Sequence, residues 1–522
     1  MSARSKTGRA SKDSPSRKKT GHPAVLELSI ISTLVLLLKW DVLSLAYIND
    51  VALHVVNVAE WVMHNNFWPY PPEMPGFIGH PPFFYEVLAF SYMVFGFRPF
   101  SAHLATVFFS SICLFFTYRL GRRFDSHVVG VSAALMLLSH PLYFAQSGMA
   151  NLDMAVASMM VASLYFALEG RWRLYLVSAS CMIMTKESAL VFFPILLAYH
   201  LLYVSRERRD LLLILMPALL FPLWVLGNKL VYGWFFLPYH VGVVSANIGS
   251  FFSILSSPST ISLEARDMPL LLKNFFELAS QLFMSRLLVV IVLVSSYPLL
   301  SQARRFIRSG GRDMAKVLGG EYFLMVSYSL AFMFLYVLTA GTHLMIRYIL
   351  PALPFYFLFL SVGLRRAVKD YRLVLAVTLI VCYLFYTSWY VIDAVSPLDF
   401  ESNMYYTHQV RNEMNALRYV ESDHPGSLIV NYRFGFFKKI QDPSIGYVTR
   451  PLDFVLPHKM PELDFSGSEV LYITHSLKKH DGRRNTIVIL KVVYETEVLR
   501  EFRSGGLYTY VVKINSMRKR VG

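Results

Sequence analysis

The amino-acid sequence predicts a mainly α-helical, polytopic membrane protein with a small α/β domain at its C-terminal end. Of the 522 residues, 55% are hydrophobic and only 16% are charged, whereas a water-soluble protein carries about 25% charged residues. Up to residue 392 the apolar residues are collected in long runs, as membrane spans require. From residue 393 onward the composition changes to that of a water-soluble domain.

Eleven apolar runs predict the membrane-spanning helices, because about 20 mainly apolar residues are needed to cross the core of a bilayer. The runs lie at residues 24–46, 101–119, 126–143, 153–168, 174–185, 188–204, 211–229, 285–302, 321–341, 348–364 and 373–392. Most of the Lys and Arg residues before the terminal domain then fall on the inside, which is the bias of cytoplasmic loops. The net charge of +16 therefore indicates membrane topology, and nucleic acid is not an expected partner.

The N-terminal part predicts a tail followed by a long outside loop. Residues 1–23 are basic, rich in Ser and poor in apolar side chains, which is typical of a disordered cytoplasmic tail. This tail places the loop at 47–100 on the outer face. Within the loop, residues 81–96 are apolar but short and include Glu86. They predict a helix that lies in the membrane interface, because counting them as a span would put the later basic loops on the wrong side.

The remaining segments predict a second loop and the terminal domain. Residues 230–284 predict another long outside loop, and residues 393–522 a soluble extracytoplasmic α/β domain. A helix is expected in YTHQVRNEMNALRYV, and strands are expected in SLIVNY, EVLYITH, TIVILKVVYETEVL and LYTYVVKI. The three cysteines, Cys113, Cys181 and Cys382, all fall in apolar runs, so neither a disulfide framework nor a zinc site is expected.

Asp50 is the first candidate functional residue, just past the first predicted span. If the segment is helical, His54 lies one turn further on. A carboxylate in this place could accept a proton from a hydroxyl or amine nucleophile. The alternative is a structural helix N-cap, a role that Asp commonly has.

Three more ionisable residues are predicted at the same outer face. Asp153 begins the fourth span and could also be an N-cap. Lys186, followed by Glu187, interrupts an apolar stretch, where ionisable groups usually face the protein interior or a cavity. Arg347 lies at the outer end of another span, where a long basic side chain can also reach toward water without a further function.

His80 ends a Pro-rich run, and the two prolines after it suit the first turn of a helix. By itself His80 is a weak indication of function. The outside-facing residues together combine a candidate base with several cations at one membrane depth. Such cations suit a phosphorylated lipid, since they would stabilise a departing phosphate as its charge develops.

Several short motifs occur in a fixed order between residues 25 and 365. They are Asp50-Val51-Ala52-Leu53-His54, His80-Pro81-Pro82-Phe83, Phe95-Gly96, Ala102-His103-Leu104, Gly121-Arg122-Arg123, Asp153, Thr185-Lys186-Glu187 and Arg347 to Pro354. In order and spacing they resemble the GT-C glycosyltransferases that use polyprenyl-phosphate-linked sugars, in the branch with protein O-mannosyltransferases and the lipid A aminoarabinose transferase. Val51 stands where that family has Glu, and His103 stands where Arg is usual.

The resemblance implies a GT-C helical membrane domain over residues 24–392 and a sugar transfer at the outer face. The donor would be an undecaprenyl- or dolichyl-phosphate sugar, and the acceptor a lipid, a protein or a glycan. By the resemblance, Asp50 and Asp153 would be the catalytic acids, and the carrier phosphate would be bound by Lys186, Arg347, His80 and His103. No cofactor is required, although two outside acids could bind a divalent metal if the fold brings them together.

Two other kinds of protein fit the same composition. A lipid or sugar transporter, or a flippase, would carry its functional ionisable groups in the middle of the spans. A non-catalytic scaffold would bind a partner through residues 393–522 and would leave Asp50 and Lys186 dispensable.

Overall fold

The structure is a computed structural model that describes most of the chain. The described ranges are 24–48, 50–72, 79–204, 206–238, 284–308, 319–339, 346–391, 400–430, 436–463, 469–476 and 486–520, with a few single residues between them. The predicted tail at 1–23 and most of the predicted outside loop at 230–284 lie outside the described residues.

Helices account for most of the described chain as far as residue 387. They are α1 (Ala24–Lys39), α2 (Val56–His64), α3 (Phe83–Phe95), α4 (Pro99–Phe124), α5 (His127–Ser139), α6 (Pro141–Gln146), α7 (Leu152–Leu168), α8 (Trp172–Ile183), α9 (Phe192–Tyr199), α10 (Arg208–Leu215), α11 (Leu220–Tyr232), α12 (Arg286–Arg308), α13 (Gly320–Thr339), α14 (Leu353–Val368) and α15 (Tyr371–Thr387). Short 3₁₀ or π segments at Val51–Val55, Glu187–Val191 and Ile346–Ala352 lead into α2, α9 and α14.

Each of the eleven predicted runs contains helix among its described residues, and the mainly α, polytopic membrane fold is confirmed. Within the described residues, six helical segments are long and apolar enough to cross a membrane: Pro99–Phe124, Glu187–Val204, Arg208–Tyr232, Arg286–Arg304, Gly320–Leu338 and Ile346–Val368. Shorter apolar helices, among them α5, α7 and α15, add to this bundle. The count of eleven crossings and the assignment of the outer side stay predictions.

Helix α3 occupies the segment that was predicted to lie in the interface. Its 13 residues span about 20 Å at 1.5 Å per residue, which is short of the roughly 30 Å hydrocarbon core. One side, with Phe84 and Leu88, is fully buried, whereas Phe90 and Met93 on the other side are more than half exposed. This one-sided burial agrees with a helix lying on the bundle, and its depth in a membrane stays a prediction.

The predicted span at 126–143 is interrupted at His140. There the backbone is extended (φ −61°, ψ 126°), and Pro141 then begins α6. The ring of a proline clashes with the residue before it and drives that residue out of the helical region. The resulting connection between α5 and α7 carries Gln146 and leads into Asp153.

Past residue 400 the described chain forms a helix on a mixed sheet, as the C-terminal α/β prediction required. The elements are α16 (Tyr406–Asp423), β1 (Leu428–Val430), α17 (Phe436–Gln441), β2 (Phe454–Val455), β3 (Val470–Ser476), β4 (Thr486–Ile489), β5 (Val492–Ser504) and β6 (Leu507–Arg520). The strand order among these residues is β2-β1-β3-β6-β5-β4, with β1 parallel to β2 and β3 and the other pairs antiparallel.

The sequence TIVILKVVYETEVL was expected to form one strand, and this expectation is wrong. It forms β4 and β5, which pair antiparallel across a turn at Leu490 and Lys491. Both turn residues have positive φ, 47° and 63°, as a two-residue hairpin turn matched to the strand twist requires. Asn and Gly usually mark such a turn, and neither occurs here, so the sequence predicts one continuous strand.

A buried polar network joins α16 to the sheet and to α17. The carboxylate of Glu413 lies 2.6 Å from Lys439 Nζ and 3.0 Å from His475 Nε2. Burial raises the pKa of Glu413, but Lys439 and His475 outweigh this effect and hold the pKa well below its usual range. The network therefore keeps a charged carboxylate inside the C-terminal unit.

The C-terminal unit is packed directly against the membrane helices. The amide of Tyr47 donates to the carbonyl of Ile445 at 3.0 Å. Beside it, Gly446 has a φ of +98°, and a Cβ there would lie 3.1 Å from the Cα of Ala46. Glycine suits this position both by its backbone angle and by the close approach. The contact fixes the 45–48 segment, which leads toward Asp50.

Candidate active site

The two predicted acids, Asp50 and Asp153, meet at the guanidinium of Arg347, which is almost fully buried. Its Nη2 donates to Asp50 Oδ2 at 2.5 Å, and its Nε lies 3.4 Å from Asp153 Oδ2. Its Nη1 contacts the carboxylate of Glu401. A guanidinium carries its N–H donors in a rigid planar fork. In Arg347 each of the three nitrogens of this fork faces a different acid.

These side chains come together because several helical segments begin at the same place. Asp50 directly precedes the turn Val51–Val55, and Asp153 lies in the first turn of α7. Arg347 is the second residue of the turn Ile346–Ala352. The first turn of a helix has unsatisfied N–H groups and a positive partial charge, which stabilise carboxylates nearby.

Lys186 is the second cation of the cluster. Its Nζ donates to Asp153 Oδ1 at 2.7 Å and lies 3.9 Å from the ring centre of Tyr348. Burial lowers the pKa of Lys186, but the charge and hydrogen bond of Asp153 together with the charges of Tyr348 and Glu187 outweigh burial, and the pKa lies above its ordinary value. The two oxygens of Asp153 thus hold one cation each, and this carboxylate joins Lys186 to Arg347.

The two aspartates differ in exposure. The side chain of Asp153 is 5% exposed and that of Asp50 is 22% exposed. Asp50 also lies 3.8 Å from Nε2 of His54, one helical turn on, as the sequence predicted. Asp50 can therefore be reached by another molecule, whereas Asp153 is enclosed by the two cations.

His80 lies beside the turn that carries Lys186. Its Nδ1 is 2.8 Å from Oε2 of Glu187, the next residue after Lys186. Two residues beyond Pro81, the amide of Phe83 donates to the carbonyl of Met184 at 2.9 Å. The Pro-rich run therefore holds the 184–187 turn from both sides, through a side chain and through the backbone.

His103 is placed behind the segment that leads to Asp50. Its Nε2 is 3.1 Å from the carbonyl oxygen of Leu45, and its ring packs against Tyr47 at 5.5 Å between centres. These contacts are with the 45–48 segment and not with the cations. The predicted role of His103 at the carrier phosphate stays a prediction.

Glu401 and Tyr348 are members of the cluster that sequence reasoning missed. Tyr348 follows Arg347 directly, and a ring next to two cations could have been suspected from the Arg-Tyr pair. Glu401 belongs to a polar stretch of ordinary composition, so the sequence carries no sign of its burial. With Glu401, the cluster holds three acids and two cations, and its formal charge is negative.

Among the residues that the structure describes, no group of three or more His, Cys, Asp or Glu side chains is arranged to hold a metal ion. The three acids of the cluster instead share a guanidinium as their common partner.

Two comparisons relate the sequence and the fold of this chain to known proteins. Residues 79–227 match the family model described as dolichyl-phosphate-mannose-protein mannosyltransferase, a range that includes His80, Asp153 and Lys186. The structure of ArnT from Cupriavidus metallidurans in the apo state superposes with a TM-score of 0.50 at 14% sequence identity. That match covers 94% of this chain and 98% of ArnT. The chain has the GT-C fold.

Further solved structures match the chain with TM-scores below 0.5. ArnT from the same organism bound to undecaprenyl phosphate matches at 13% identity and a TM-score of 0.49, with 93% and 97% of the two chains covered. The Archaeoglobus fulgidus oligosaccharyltransferase in complex with Zn and sulfate matches at 14% identity and 0.46, with 83% and 62% covered. No curated protein matches the sequence significantly.

Proposed function

We propose that this GT-C protein is a membrane glycosyltransferase that transfers a sugar from a polyprenyl-phosphate-linked donor to an acceptor on the outer face of the membrane. The observation that carries the proposal is the chain of ion pairs that runs from the partly exposed Asp50 through the buried Arg347 and Asp153 to Lys186. The resemblance of the motifs and the family match of residues 79–227 support the donor class. The acceptor is a lipid, a protein or a glycan.

Lys186 and Arg347 would bind the phosphate of the donor. Both are almost fully buried, and charges in a site of low dielectric act more strongly than charges in water. Asp153 binds both cations, one on each oxygen, and so fixes the distance between them. We assign Asp153 as a positioning residue that keeps two cations facing one phosphate.

Asp50 would orient the acceptor and take its proton. The nucleophilic oxygen or nitrogen of the acceptor forms a bond to the anomeric carbon as the bond between that carbon and the phosphate oxygen breaks. The electron pair leaves with the phosphate, and the proton of the acceptor passes to Asp50. Attack opposite the leaving phosphate inverts the anomeric configuration, and Lys186 and Arg347 offset the charge that develops.

His80 would act through Glu187, since its contacts support the 184–187 turn. His103 would support the 45–48 segment in the same way, behind Asp50. Direct binding of substrate by either histidine stays a prediction. The site is placed on the outer face, with a cytoplasmic N-terminus and an extracytoplasmic unit at 393–522, because this arrangement satisfies the charge bias of the loops.

Purified protein in nanodiscs, incubated with a radiolabelled polyprenyl-phosphate sugar and an acceptor extract, tests the proposal. We expect transfer by the wild type, a loss of at least about a hundredfold for Asp50→Asn, and unchanged activity for Glu497→Gln, an exposed residue of β5. The absence of both transfer and hydrolysis would contradict an enzyme. Donor movement between leaflets without transfer would instead favour the transporter or flippase. Parallel reactions with and without a chelator test the need for a divalent metal.

A further inference from the structure

Tyr85, in the first turn of α3, carries a buried hydroxyl group without a hydrogen-bond partner in the described part of the chain. Its side chain is 1% exposed, and its oxygen makes no hydrogen bond with any residue that the structure describes. A polar group that is buried in this way loses its hydration and gains nothing in return. Phenylalanine would fill the same space without this cost, so we expect the hydroxyl to be used in another state of the protein.

Glu187 is the acidic residue whose charge acts on this hydroxyl. Burial raises the pKa of Tyr85, and the negative charge of Glu187 raises it further, since a nearby carboxylate disfavours a phenolate. The two residues are brought together by the backbone bond between Phe83 and Met184, which joins the start of α3 to the 184–187 turn. The hydroxyl therefore lies near a carboxylate that can accept its hydrogen bond.

The carboxylate of Glu187 has room to change partners. Its side chain is 36% exposed, and its contact with His80 Nδ1 at 2.8 Å uses Oε2. Glu187 begins a short 3₁₀ segment, Glu187–Val191, so its side chain can move to another rotamer while the backbone of the turn stays in place.

Binding of the donor provides the cause of such a change. Under the proposed function the phosphate binds Lys186, the residue next to Glu187, and two anions at one place repel each other. If the carboxylate turns from His80 to Tyr85, it keeps one hydrogen bond and the hydroxyl gains one. His80 then becomes a donor for the phosphate, as the sequence predicted, and each of these polar groups has a partner.

We propose that Tyr85 is a positioning residue of the donor site: on binding of the lipid phosphate, the Glu187 carboxylate exchanges its hydrogen bond with His80 for one from the Tyr85 hydroxyl. This inference rests on the proposed function, because it requires a phosphate at Lys186. Its ligand class is an anionic phosphodiester on a polyprenyl chain. Tyr85 touches neither donor nor acceptor and acts through the place that it gives to Glu187.

The first test measures binding of radiolabelled undecaprenyl methyl phosphate, a diester without a sugar, to the purified protein in nanodiscs. Tyr85→Phe removes only the hydroxyl, and we expect about tenfold weaker binding, the equivalent of one hydrogen bond to a charged group. The unfolding temperature without lipid should not fall, because the hydroxyl has no partner to lose in that state.

Tyr175→Phe is the matched control. Tyr175 is similarly buried, but its hydroxyl donates to the carbonyl of Ile214 at 2.7 Å. This variant should therefore unfold at a lower temperature and bind the lipid like the wild type, which is the reverse of the result expected for Tyr85→Phe.

A variant without the acceptor shows whether Glu187 is the partner of the hydroxyl. Glu187→Ala should bind the lipid within about tenfold of the wild type, and in that background Tyr85→Phe should change the affinity by no more than about twofold. A tenfold effect of Tyr85→Phe without Glu187 would overturn the exchange. Complete loss of binding in Glu187→Ala would overturn it too, because the exchange gives Glu187 no direct contact with the phosphate.

Equal binding by Tyr85→Phe and the wild type, with binding lost in Lys186→Gln, would overturn the exchange and leave the proposed function standing. Absence of binding by the wild type, or binding that survives unchanged in both variants, would overturn both. A Tyr85→Phe protein that unfolds at a lower temperature or fails to fold would show that the hydroxyl is already bonded without lipid, which also contradicts the exchange.

A second measurement follows the hydroxyl itself. In protein with isotope-labelled tyrosine, the infrared difference between the wild type and Tyr85→Phe isolates the C–O stretch of Tyr85. This band should shift when the lipid is added, because the hydroxyl changes from unbonded to bonded. A band that stays in place at saturating lipid would refute the exchange.

Discussion

Lys186 depends on Asp153 for its charge, and Asp153→Asn should therefore make lipid binding sensitive to pH. In the wild type this carboxylate, together with Tyr348 and Glu187, holds the pKa of Lys186 above its ordinary value against the effect of burial. Asparagine is nearly the same size but carries no charge, so burial is opposed less in the variant and we expect the pKa of Lys186 to fall. A lysine that is deprotonated in this way cannot offset the charge of a phosphate.

The size of the effect follows from the contact that is lost. One hydrogen bond between a cation and a phosphate is worth about 1.5–3 kcal/mol, which corresponds to about 10–150-fold in the dissociation constant. We expect this loss at high pH only. At low pH Lys186 is protonated in the variant too, and with one acid fewer in the cluster the variant should bind at least as tightly as the wild type.

Binding of undecaprenyl methyl phosphate between pH 5 and pH 9 measures this effect, because the diester keeps a single charge over the whole range. The wild type should show a constant affinity, and Asp153→Asn an affinity that falls as the pH rises. Asp50→Asn is the matched control in the same cluster: it touches Arg347, which stays protonated throughout, and should show no new pH dependence. A variant whose affinity is equally weak at every pH would refute the role of Asp153 in keeping Lys186 charged.

Three further predictions concern stability, each measured as thermal unfolding of the purified protein. Glu413→Gln should destabilise the C-terminal unit by about 3–5 kcal/mol at pH 7, and a variant as stable as the wild type would contradict this. Because folding depresses the pKa of Glu413, the stabilisation by its carboxylate is present above about pH 4.5. It is lost as the pH falls through the pKa of the folded protein. The double change Leu490→Asn and Lys491→Gly should stabilise the protein by about 1–2 kcal/mol, because Asn and Gly adopt the left-handed conformation with less strain. A lower unfolding temperature would argue against the β4–β5 turn. Gly130→Val should lower the free energy of unfolding by about 1–3 kcal/mol, since a Cβ there would lie 2.4 Å from the carbonyl oxygen of Tyr118. Ala134→Val on the same helix is the control, and an equal effect of that change would show that this close contact is unimportant.

The sequence was sufficient to predict the helical membrane fold and the four charges that the structure brings together. Each of these four residues, Asp50, Asp153, Lys186 and Arg347, is an ionisable group next to a long apolar run. There the loss of its hydration is costly, so its presence indicates a function. The order of the motifs then predicted a shared site, although the residues are far apart in the chain. Short-range patterns could not show which nitrogen faces which acid.

The sequence could not predict features that depend on tertiary contacts in polar segments. Glu401 lies among Ser, Asn and Tyr, where an acid is expected to be solvated, and only the packing of the C-terminal unit on the helices buries it. The prediction of a single strand over β4 and β5 was wrong for a related reason. Leu490 and Lys491 adopt left-handed conformations because of the strand pairing and not by their own preference. In both cases a long-range contact overrides a local signal.

The arrangement of charges explains why a negative cluster can serve an anionic donor. Arg347 receives carboxylates from three distant parts of the chain, at residues 50, 153 and 401, and these offset a charge that would be costly to bury unpaired. Asp153 also pairs with Lys186 and so joins the two cations. The acids that stabilise the cations in the folded protein therefore also hold them in position for the phosphate that we propose they bind.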